Sequence, residues 1–164
     1  MPNWCENDLV IQGKEEELQK FKQYVSSERS QFDFNKMIPY PEEYAVADEA
    51  ARIWEENRGN KNWADRPKDG FNMGGYQWCV DNWGTKWWIP DVDIIYASNK
   101  ISYFFSTAWA PPEPIIKHLI EKFPKLKISL KYYEAGGGFR GVLNGARGKV
   151  TKEATYKYAG NRGG

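Results

Sequence analysis

ISYFFSTAWAPPEPIIKHLIEKFP, residues Ile101 to Pro124, decides the fold, because it reads as one strand running into one amphipathic helix. Ile101, Tyr103, Phe105, Thr107 and Trp109 alternate with Ser102, Phe104, Ser106 and Ala108, the period of a pleated strand rich in aromatic and β-branched residues. Aromatics fall on both faces, which predicts a central strand covered on both sides. Pro111 and Pro112 end the ladder, since proline has no amide to donate. Glu113 and Pro114 suit the first turn of a helix. Ile115, Ile116, Leu119, Ile120 and Phe123 then share one helical face, and Pro124 stops the run. Burying those side chains stabilises by at most roughly 8 to 15 kcal/mol, at about 1.5 to 3 each. Such a stripe must lie on a sheet.

The segments on either side complete the pattern. Trp4 to Gln12 alternates Cys5, Asn7, Leu9 and Ile11 on an inward face with Trp4, Glu6, Asp8, Val10 and Gln12 on the other. Asn7 is then an inward polar group that needs partners. After Gly13, the acids Glu15, Glu16 and Glu17 open a helix with the stripe Leu18, Phe21 and Val25, and Tyr24 beside it. Val92 to Ala97 forms a hairpin with the Ile101 strand through Ser98-Asn99-Lys100. Lys127 to Glu134 turns Ile128, Leu130 and Tyr132 inward. The order β-α-β-β-α-β predicts an α+β, ferredoxin-like split βαβ sandwich, an antiparallel sheet backed by two helices.

Two additions decorate it within a single domain over residues 1–164. A large aromatic-rich insertion, about residues 30–90, follows the first helix. Within it, Phe32-Asp33-Phe34 reads as a short strand and Glu42 to about Asn57 as a helix. That helix has Tyr44, Ala47, Ala51 and Trp54 on one side and a solvated acidic face including Asp48 on the other. Arg58 to Gly75 reads as a surface loop, and Tyr76 to Trp88 as a helix broken at Gly84 whose tryptophans cover the sheet. A C-terminal hairpin, about residues 139–158, is expected to turn near Asn144-Gly145.

At 164 residues and 41% apolar content the chain can bury one substantial core. The N-terminus lacks a secretory pattern and no run reaches the ~18 apolar residues of a membrane span, so an intracellular, cytoplasmic protein is expected. Cys5 and Cys79 stand apart without a CxxC pattern, and His118 is the only histidine. No metal site or cofactor is therefore assigned. Net charge is +1, yet residues before Lys117 carry 12 Lys and Arg against 19 Asp and Glu, and those from Lys117 onward 11 against 3. That dipolar distribution suits either internal neutralisation or a charged partner.

Several stretches together carry a family resemblance. They are PNWCEN (Pro2 to Asn7), FDFNKMIPYP (Phe32 to Pro41), WCVDNWGTKW (Trp78 to Trp87), FSTAWAPP (Phe105 to Pro112), Tyr133-Glu134 and Phe139-Arg140-Gly141. The chain resembles the family described as having a YubB ferredoxin-like domain, carried by bacteriophages and conjugative plasmids. The resemblance implies a ferredoxin-like fold in a mobile-element protein of a bacterial host, and implies no activity.

Three functional readings remain. The preferred one is a non-enzymatic binding module for a host protein or small ligand. A candidate cleft would draw on Trp4, Asn7, Asp81, Lys86, Trp109 and Glu134 if the insertion folds back over the sheet. The alternative is nucleic-acid binding through Lys131, Tyr133, Arg140, Arg147, Lys149, Lys152 and Lys157, helped by Phe139, Tyr156 and Arg162, without the signature of an RNA-recognition module. The third is an enzyme using the same tryptophan-lined cleft, with Lys86 or Glu134 as acid or base. Gly136-Gly137-Gly138 lacks the helix and Lys-Ser/Thr of a phosphate loop, and reads as a turn.

Overall fold

In the computed structural model, which describes residues 3–160, the chain builds one sheet with a helical layer on a single side. In order, β1 is Trp4–Gln12, α1 Glu15–Val25, α2 Phe34–Met37, α3 Glu42–Glu56, α4 Tyr76–Trp83, β2 Asp93–Ala97, β3 Lys100–Ala108, α5 Glu113–Lys122, β4 Lys127–Glu134, β5 Phe139–Ala146 and β6 Lys149–Lys157. The strand order is β2-β3-β1-β4-β5-β6, every pair antiparallel. The first four strands with α1 and α5 form the split βαβ core, and the C-terminal hairpin extends that sheet past β4.

Register fixes the two faces. Leu9 lies opposite Tyr103 and Leu130, and Ile11 opposite Ile101 and Ile128, so one face of the central strands is continuously apolar. α1 and α5 cover it with Leu18, Phe21, Val25, Ile115, Ile116, Leu119 and Ile120, all buried. The insertion packs on this same face. Phe32 sits 5.1 Å from the rings of both Tyr103 and Phe105, and Phe34 lies edge-on to Phe105 at 6.1 Å and to Trp83 at 6.2 Å. The expectation that β3 is covered on both faces is therefore corrected. Glu6, Asp8, Val10, Ser102, Phe104, Ser106, Lys131, Tyr133, Arg140 and Val142 share the opposite face by register, and among the described residues no helix lies on it.

Local chemistry overrides other readings inside the insertion. Phe32-Asp33-Phe34 is not a strand, because the Asp33 side chain accepts the Lys36 amide at 3.2 Å and caps α2. Asp48 is not on a solvated face. It accepts Tyr40 Oη at 3.1 Å and the Phe71 amide at 2.8 Å, tying α3 to the segment after it. That segment is largely exposed, as a surface loop should be, and holds a 3₁₀ turn at Trp63–Asp65 and a π-helical turn at Phe71–Gly75. α4 does end at Gly84, whose φ of 78° allows its amide to reach the Cys79 and Val80 carbonyls.

The C-terminal turn also moves. Asn144-Gly145 lies within β5 at a register shift, and the chain reverses at Arg147-Gly148, whose φ values of 56° and 75° match a type I′ turn. A Cβ at Gly145 would collide with the Ile120 side chain, so this glycine lets α5 approach the sheet. Trp109 lies beyond the end of β3, in a left-handed conformation at φ 72°, and is 48% exposed rather than inward.

Gly145→Ala should destabilise by about 1–3 kcal/mol in urea unfolding, because Ile120 and the backbone must shift. A second expectation concerns His118, whose Nε2 is 2.7 Å from Tyr24 Oη. Burial, then the nearby Lys122 ammonium, holds its pKa below the usual histidine value, while Glu121 pulls weakly the other way. The neutral ring is favoured in the fold, so this contribution is fully present above about pH 6.5 and is lost as pH falls through the lowered folded value. Thermal melts between pH 7.5 and 5 should decline less for His118→Gln than for the native chain.

Candidate functional site

The polar side chains near the Trp4 end of the sheet separate into three places. On the helix side, Asn7 Nδ2 donates to the Cys5 carbonyl at 2.9 Å, the Phe105 carbonyl at 3.3 Å and Thr107 Oγ1 at 2.9 Å. Thr107 Oγ1 in turn donates to the Ala110 carbonyl at 2.7 Å, shaping the turn that carries Trp109. Asn7 thus locks β1 to the end of β3. Glu134 is 3% exposed, and its two oxygens accept the amides of Gly136, at 2.7 Å, and of Gly137. The glycine run after β4 is a nest already filled by a carboxylate from its own chain.

A second place is the end of β3. Thr85 Oγ1 accepts the Ala108 amide and donates to the Ala108 carbonyl, each at 3.0 Å, so the segment leaving α4 is pinned like one rung of a strand. This places Lys86 Nζ 4.4 Å from the Trp109 ring centroid and 4.8 Å from that of Trp87. The ammonium spans two indoles, an electrostatically favourable contact with their negative faces. Asp81 is elsewhere, exposed on α4 and accepting Gln77 Nε2 at 2.8 Å one turn back.

The third place is the open face. Trp4, 39% exposed, lies at the mouth of a groove of about 430 Å³ floored by Phe104 and Ser106 and bordered by Glu6, Asp91 and Asp93. Both Glu6 carboxylate oxygens lie 3.2 Å from Ser106 Oγ, which donates to them. Of the six cleft residues named from sequence, Lys86 and Trp109 touch, Asn7 and Glu134 are engaged in the interior, and Asp81 and Trp4 stand apart. The groove's carboxylates were missed, although the Trp4-Glu6-Asp8 alternation put one of them, Glu6, on the same face as Trp4.

Lys131, Tyr133, Arg140 and Lys152 share the open face across β4, β5 and β6 by register, where Tyr133 stacks on Tyr158 at 5.8 Å. The Arg140 guanidinium lies 5.9 Å from the Tyr156 ring centroid. Arg147 sits in the turn, Lys149 begins β6, and Lys157, opposite Phe139, belongs to the helix side. Arg162 and Pro2 lie outside the described residues. Burial pushes the Cys5 thiol up to about 12 and the Cys79 thiol up to about 11, so both stay protonated at neutral pH. Among the described residues no cluster of three or more His, Cys, Asp and Glu could hold a metal ion.

Comparison with known proteins bears on this arrangement. The family model described as "Ferredoxin-like domain in Api92-like protein" matches residues 82–160, from the end of α4 through β6. The fold is ferredoxin-like. The crystal structure of a protein api92 from Yersinia pseudotuberculosis is similar over 97% of this chain and 99% of that one, with a TM-score of 0.59 and 13% identity. At that identity the likeness is one of fold. No curated protein matches the chain.

Replacing Glu134 by Gln should cost roughly 1–3 kcal/mol in chemical denaturation, because one of the two loop amides loses its acceptor or faces an amide donor. Amide exchange at Gly136 and Gly137 should accelerate in the same variant.

Proposed function

We propose that the protein is a non-catalytic binding module that engages a host protein or small ligand through its open sheet face. The observation that carries this reading is the groove beside Trp4 on a face that no helix covers among the described residues. The groups suited to acid-base work support it from the other side. Glu134 holds its own loop, His118 pairs with Tyr24, and both thiols are held protonated. The resemblance to YubB-type domains of bacteriophages and conjugative plasmids supports a module that works in the cytoplasm of a bacterial host. No helix is long and apolar enough to cross a membrane among the described residues.

A second reading rests on the basic half of the same face, where Lys131, Tyr133, Arg140 and Lys152 with Tyr156 could stack on and neutralise a single strand of nucleic acid. The central strands argue against an RNA-recognition arrangement, because β1 presents Glu6 and Asp8 where stacking aromatics would be needed.

Affinity capture from host lysate, with mass spectrometry of proteins and small molecules retained, should recover a partner with the native chain. A Trp4→Ala, Phe104→Ala variant should lose it, and a Lys131→Glu, Arg140→Glu variant should keep it. Recovery of nothing above a control column counts against the binding reading. Labelled oligonucleotides titrated across a salt series should show no affinity beyond weak charge attraction. Salt-sensitive binding abolished by the Lys131 and Arg140 changes would establish the second reading instead.

A further inference from the structure

We infer that the groove beside Trp4 accepts an extended, arginine- or lysine-bearing segment of a protein partner, which meets the edge of β3 at Ser106. This deepens the binding reading above and rests on it. The first support is backbone geometry. Ala108 directs both its amide and its carbonyl to Thr85, away from β1, so alternate residues of β3 aim their peptide groups to the same side. Phe104 meets Asp93 there, and Asp93 is the first residue of β2. Ser106 is the next position in that row, and the residue that would face it in register, Asp91, lies outside the strand. β3 therefore runs on to Ala108 past the end of β2, and the groove lies along this stretch at Phe104, Phe105 and Ser106. Between Phe104, which meets Asp93, and Ala108, which is bonded to Thr85, one position of that row, Ser106, is left to meet a peptide by a main-chain hydrogen bond.

The walls specify the side chains. Glu6, Asp91 and Asp93 border the groove without a lysine or arginine among its lining residues, and Trp4, Ile89 and Phe104 supply the apolar surface. A carboxylate rim over aromatic faces suits a cationic head on an aliphatic stem, through charge-assisted hydrogen bonds and cation–π contact. The same charges disfavour phosphate, which separates this site from the basic half of the sheet across β4, β5 and β6.

Fluorescence anisotropy with a fluorescein-labelled peptide of alternating valine and arginine, and its glutamate counterpart, tests the assignment on the full chain. At low salt the arginine peptide should bind at least about tenfold more tightly than the glutamate peptide, and weaken as salt rises toward 0.5 M, roughly the range over which screening removes exposed pairs. Glu6→Gln with Asp93→Asn should weaken it about tenfold, as should Trp4→Ala, with unchanged melting temperatures showing that the sheet is intact. Equal binding of both peptides, undiminished binding by the charge variant, or displacement by a single-stranded oligonucleotide would overturn it. If the peptide fails while lysate capture still depends on Trp4 and Phe104, only the basic-segment assignment falls. If both fail, the binding module itself does.

Discussion

The packing of Phe32 and Phe34 onto Tyr103 and Phe105 is the constraint on which the rest of the molecule depends. The sheet face that receives α1 and α5 is wider than two helices can cover once six strands are in place. The aromatic side chains after α1 fill the remainder, with Trp83 behind them. Rings of this size bury large apolar area and meet edge-on or tilted, as their quadrupoles favour. The insertion's buried rings finish one layer, and among the described residues no helix closes the other. The exposed sheet face is a consequence of where the aromatic area went.

Polar groups at the Trp4 end follow from that division. On the buried side each has internal work: Asn7 holds two strands, Glu134 holds the glycine turn, and Thr85 extends the edge of β3 by one side-chain rung. The Asn7 amide nitrogen, Glu134 and Thr85 meet backbone groups that would otherwise lack partners in a dry interior, where a missing partner costs more than a made one returns. On the open side the polar groups are carboxylates toward β2 and cations toward β6. The opposite charge of the two chain halves thus becomes two territories of one surface, because β1, β2 and β3 come from the acidic half and β4, β5 and β6 from the basic one.

Most of the core was legible in the residues because its signals are local and periodic. The stripe from Ile115 to Ile120, the alternation in β1 and β4, and the Gly84 break each depend on a few neighbours. The failures arose where a distant contact outweighed the local signal. Asn144-Gly145 carries strong hairpin chemistry, yet Gly145 is needed beneath Ile120 and the turn passes to Arg147-Gly148. Phe32-Asp33-Phe34 alternates like a strand, yet Asp33 caps a helix and both rings turn into the core. Asp48 looks like one more solvated acid on α3 until Tyr40 and Phe71 are brought to it. Among the cleft candidates, nothing in sequence spacing distinguishes Lys86, which meets two indoles, from Asp81, which meets only Gln77.

By itself the sequence determined the order of the core strands and helices, the two helical stripes that must lie on a sheet, and the pairing of an acidic first part with a basic last part. These are properties of period and composition. Only the tertiary structure decided which face of β3 is open, and that Trp4, Phe104 and three carboxylates border one groove. Facing depends on where the insertion lands, and that is set by the competition of aromatic rings for one layer, a contest between residues some seventy positions apart.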